Sequence, residues 1–100
     1  MQEWANVFIS ATTADLGSYR LAVRNVLLDR GVHPILQDHL EPDYQTMMDI
    51  LRQAIDACDA VICLVGLVYG QEPQHRPAGA PRHSYTQLEF EIAVAFDKPI

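Results

Sequence analysis

Positive charge is scarce in this chain of 100 residues: seven Lys and Arg stand against thirteen Asp and Glu, for a formal net charge of -6. A protein that grips a phosphate backbone needs a basic face, so nucleic acid is not expected as a partner. Cysteine is scarcer still. The two present, Cys58 and Cys63, have no spacing that fits zinc or a redox motif, and they read as core thiols in a reducing compartment. The four histidines, His33, His39, His75 and His83, also lack metal-ligand spacing, so no metal site is expected. No apolar run is long enough to span a bilayer, and Met1-Gln2-Glu3-Trp4 carries no basic segment ahead of an apolar one. These absences predict a cytoplasmic domain without a membrane partner.

The apolar fraction, 49%, is ample for burial and argues against disorder. At this length the chain is one small domain, residues 1–100. Asn6-Val7-Phe8-Ile9-Ser10 reads as a buried strand. The loop after it, Ser10 to Asp15, offers three hydroxyls and a carboxylate but no glycine before Gly17, which excludes a Walker or dinucleotide fingerprint. Thr13 or Asp15 can cap the helix that follows. Tyr19, Ala22, Val23, Val26 and Leu27 then recur at helical spacing, with Arg20, Arg24 and Asp29 among the polar positions, and Gly31 is placed to end the helix.

His33 to Gln37 reads as a second strand with Pro34 near its start. Asp43 can cap a second helix whose stripe is Tyr44, Met47, Met48, Leu51, Ala54, Ile55 and Cys58. Ala60 to Gly66 is the most apolar run, the mark of a parallel strand covered on both faces. From Tyr69-Gly70 to His83 a proline-rich connection leads to the last helix, where Leu88, Ile92, Ala95 and Phe96 form a stripe with Glu89 at its margin. Phe90 and Val94 fall on the face away from that stripe. Glu89 has a plain reading, since both Thr86-Gln87-Leu88-Glu89 and Ser84-Tyr85-Thr86-Gln87 have the spacing of a capping box.

The alternation of strand and helix predicts an α/β sandwich of three layers: a parallel sheet of flavodoxin-like order 2-1-3-4 with helices on both faces. In that order the Ser10 and Tyr69 loops converge beside the start of the Glu89 helix, at the carboxyl ends of the strands. A fourth strand has barely begun at Ile100, so the chain is expected to be the N-terminal part of a longer, multidomain protein, truncated at its C-terminus.

Val7-Phe8-Ile9-Ser10-Ala11-Thr12, Asp15-Leu16, Tyr19-Arg20, Asp59 before an apolar strand, Tyr69-Gly70, Ser84-Tyr85-Thr86-Gln87-Leu88-Glu89 and Lys98-Pro99-Ile100 together resemble a TIR-like family. That family, long labelled as of unknown function, stands at the N-terminus of NACHT or STAND-type NTPases. The resemblance covers nearly the whole chain. It implies a TIR-like fold in signalling or immune defence, in which some relatives cleave NAD and others only assemble. It also implies a catalytic glutamate on the helix after the third strand, and Glu89, nine residues before Lys98, stands at the comparable position. Asp97 occupies a position where glycine is usual, and Tyr85-Thr86 replace a common Trp-Cys.

Three functions follow. As an NAD glycohydrolase, the domain would use Glu89 to hold the ribose hydroxyls and stabilise a cation-like sugar, with Ser10, Thr12 and Thr13 on one wall of the cleft and Ser84 and Tyr85 on the other. NAD would be substrate, and no cofactor is needed. The alternative is a non-enzymatic module for self-association or for regulating a downstream STAND NTPase and its repeat domains. The third is an enzyme like a nucleoside deoxyribosyltransferase, which also uses a glutamate at an N-glycosidic bond.

Overall fold

A computed structural model describes residues 5–11, 13–36, 43–67, 69–70, 72–73, 76–80 and 82–100. The elements run β1 (Asn6–Ala11), α1 (Thr13–Asp29), β2 (His33–Ile35), α2 (Tyr44–Asp56), β3 (Ala60–Leu64) and α3 (Tyr85–Ala95). The three strands form one parallel sheet in the order β2-β1-β3. Thus β1, not the more apolar β3, is the middle strand. The described residues include no fourth strand, although the Val61 N–H donates to the Pro99 carbonyl at 2.8 Å, which brings the segment after α3 beside β3.

Side chains alternate across β1 because the strand period is two. Phe8 joins Met47, Leu51, Ile55, Val61, Leu88 and Ile92 in the core between the sheet and the pair α2 and α3. Ile9 and Ala11, equally buried, belong to the opposite face. There α1 packs on β1 and β2. A helix seated over only two strands cannot bury a wide apolar arc. The expected α1 stripe therefore divides: Val23 and Leu27 are half-buried beside Leu16, Arg20 and Arg24, whereas Tyr19, Ala22 and Val26 are exposed.

The α2 stripe is as its spacing predicts, with Met47, Met48, Leu51 and Ile55 buried. The α3 stripe holds only at Leu88 and Ile92. Tyr85, Leu88, Glu89, Ile92 and Ala93 face inward, while Ala95 and Phe96 are exposed, so the helix is turned and Glu89 moves from the margin to the middle of the buried face. Phe90 and Val94 are exposed, as their positions predict.

Local chemistry fixes the ends of the helices. At the end of α1, Gly31 takes φ 73° while Val32 N–H donates to Leu27 C=O and Gly31 N–H to Leu28 C=O, a Schellman closure. The end of α3 repeats it with Asp97, at φ 56°, in the glycine position: Lys98 N–H donates to Ala93 C=O and Asp97 N–H to Val94 C=O. Lys98 Nζ also donates to the Asp56 carbonyl at 2.9 Å, where α2 ends. At the other end of α2, the Asp43 carboxylate accepts from Thr46 N–H at 2.7 Å and from Thr46 Oγ1 at 2.8 Å.

A non-glycine residue held left-handed costs about 1 kcal/mol, so Asp97→Gly should raise the urea midpoint and Asp97→Val should lower it. The Thr46 backbone and side-chain donors hold the Asp43 carboxyl below its ordinary value. A depressed carboxylate contributes stability that is complete above about pH 4 and fades as the pH falls through the folded-state value. Asparagine caps comparably without titrating, so any stability advantage of wild type over Asp43→Asn in thermal melts at pH 7 should disappear near pH 2.

Candidate functional site

The sheet register places Ser10 beside Cys63 at the carboxyl ends of β1 and β3. Ser10 lies on the same face as Phe8, toward α3, and Glu89 reaches it from the second turn of that helix. Ser10 Oγ donates to Glu89 Oε1 at 2.7 Å, in a buried contact between residues 79 apart in sequence. Ser10 is 0% exposed and Glu89 2%. Cys63 completes the group. Burial first, and then the negative charge of Glu89, push its thiol above the ordinary value, so it is a poor nucleophile.

Ser84 is the N-cap of α3, its Oγ accepting from Gln87 N–H at 3.2 Å. Of the two capping arrangements legible in the sequence, the helix therefore uses the Ser84 one, and Thr86 lies inside α3. Glu89 is thereby placed one turn beyond the cap, at the right height to meet Ser10.

Beside this group a cleft of about 240 Å³ opens at the end of β3. Its walls are Cys63 to Gly66 on one side and Ser84, Thr86, Gln87 and Phe90 of α3 on the other, with Tyr69 contributed by the following loop. Cys63 joins the two regions, since it lines the cleft and senses the Glu89 charge. Glu89 and Ser10 themselves are not among the lining residues.

A family profile described as a domain of unknown function, DUF4062, matches residues 6–100. The chain belongs to the DUF4062 family. No curated protein and no solved structure matched it.

The residues expected at the site separate in this DUF4062 domain. Ser10, Glu89 and Ser84 are brought to one end of the sheet, with Ser84 on the cleft and the other two packed behind it. Tyr85, expected on the cleft, is 2% exposed and packs in the apolar core, because the first inward position of α3 faces the sheet. Thr12 and the side chain of Thr13 lie outside the described residues. Sequence reasoning missed Cys63, Gln87 and Phe90 as cleft residues, although it brought the Tyr69 loop to this end of the sheet. The Tyr69-Gly70 pair was a usable signal, whereas Phe90 read only as an exposed apolar residue. Among the described residues no three His, Cys, Asp or Glu side chains are grouped to hold a metal ion, and no helix is long and apolar enough to cross a membrane.

The Ser10–Glu89 contact should matter to stability whatever the domain does. Taking a donor from a buried acceptor costs about 1–3 kcal/mol, so Ser10→Ala should lower the free energy of unfolding by that amount in urea titrations. Glu89→Gln, which keeps an oxygen for the hydroxyl, should cost less.

Proposed function

We propose that this is a TIR-like domain with a nucleotide cleft at the end of β3, and that its reaction is hydrolysis of the bond between nicotinamide and ribose in NAD. The observation that carries the reading is the Ser10–Glu89 hydrogen bond, because it draws the carboxylate of the helix after the third strand to the mouth between β1 and β3. The Val61–Pro99 contact supports a fourth strand beside β3 and hence the flavodoxin-like order 2-1-3-4. A carboxylate in low-dielectric surroundings stabilises the positive charge that develops on the ribose as the glycosidic bond lengthens. Water supplies the hydroxyl to the anomeric carbon and gives its remaining proton to solvent, and nicotinamide leaves with the bonding electron pair. The cytoplasm, where NAD is abundant, is the compartment this reading requires.

Glu89 is 2% exposed and Cys63 stands at the boundary with the cleft. Productive binding therefore requires the ribose to enter past Cys63 as the start of α3 shifts. The same burial favours a second reading, a non-enzymatic module that self-associates or regulates a downstream STAND NTPase. There Glu89 serves only to anchor α3, and exposed Phe90 and Val94 supply contact surface.

Incubation of the domain, in its full chain, with NAD separates the two. Nicotinamide release by wild type, reduced about 10²–10³-fold in Glu89→Gln, is the expected outcome. Turnover that survives Glu89→Ala removes the site, and a folded, assembled protein with no turnover leaves the interaction module. Transfer of the sugar between added nucleosides instead of to water would assign the domain to deoxyribosyltransferase-like chemistry.

A further inference from the structure

The connection from β3 to α3 is fastened by its own side chains. Tyr69, near its start, is a cleft wall, and Arg82, near its end, lies two residues before the Ser84 cap. Tyr69 Oη donates to the Arg82 carbonyl at 3.2 Å, and Arg82 Nε donates to both Glu72 oxygens, at 2.9 and 3.0 Å. The Tyr69 phenol is held above its ordinary value, by partial desolvation first and then by the Glu72 charge, so it remains a donor at neutral pH. Tyr69 is 52% exposed and is not part of the buried core cluster. What holds its ring against the cleft is therefore this local fastening more than core packing.

We propose that the Glu72–Arg82 pair is a clasp that sets the Tyr69 wall, making Arg82 a positioning residue for the ligand. Resting on the nucleotide reading above, the inference assigns the Tyr69 ring to the planar base or nicotinamide of the bound molecule. Aromatic rings of this kind bind flat heterocycles through their faces. Preorganising the wall lowers the ordering cost of binding, so loss of the clasp should weaken binding and leave the bond-breaking step alone. Arg82 has a side-chain exposure of 76% against 29% for Glu72, and an exposed pair of this kind is weak and sensitive to salt.

The test combines steady-state kinetics with NAD and chymotryptic cleavage after Tyr69, which needs no turnover. Arg82→Ala should raise KM by up to about fivefold, the worth of an exposed ion pair, with kcat nearly unchanged, and should speed cleavage after Tyr69. High salt should shift wild type toward the variant while moving Arg82→Ala little. The exchanged pair Glu72→Arg with Arg82→Glu should recover wild-type behaviour. Unchanged cleavage and an unchanged KM in Arg82→Ala overturn the clasp. A wild type that does not cleave NAD overturns the nucleotide reading instead, and the cleavage rates of wild type, Arg82→Ala and the exchanged pair then decide whether the clasp exists.

Discussion

A carboxylate and a hydroxyl buried together between a sheet and a helix constrain this domain more than any single apolar contact. Polar groups removed from water are costly unless satisfied. The 2.7 Å bond from Ser10 to Glu89 therefore fixes more than one contact: it sets the rotation of α3 about its axis and the height of that helix along β1. Leu88, Ile92 and Ala93 are buried at that rotation, and Phe90 and Val94 are left outside. The apolar residues of α3 are spread around the helix and do not define its orientation alone. The polar pair supplies the missing direction.

The same constraint shapes the cleft. With α3 seated by Glu89, its first turn presents Ser84, Thr86 and Gln87 across from the end of β3, and Cys63 lies where the buried pair and the open space meet. Glu89 thus positions one wall of the cleft from behind it.

Much of the architecture was legible because period and punctuation agree. The α2 stripe, the Asp43 cap, the Gly31 closure and the parallel order β2-β1-β3 follow from spacing, glycine chemistry and crossover rules. The failures have a common cause. The α1 stripe counts apolar residues alone, yet half-buried Arg20 and Arg24 lie on its inward face, and Glu89, expected at the margin of the α3 stripe, is buried in its middle. Tyr85 stands at the helix start and so reads as a cleft residue, but which way a first-turn residue points depends on helix rotation. Asp97 is instructive for the opposite reason: it takes the left-handed backbone of a helix end that glycine usually fills. Backbone geometry there outweighs side-chain preference, within what aspartate tolerates.

The distance along the chain between the two partners of the central hydrogen bond bears on the order in which the molecule assembles. Ser10 and Glu89 are separated by 79 positions, so their contact can close only after the intervening chain has been gathered. Closing it seats α3 against the end of the sheet and completes one wall of the β3 cleft.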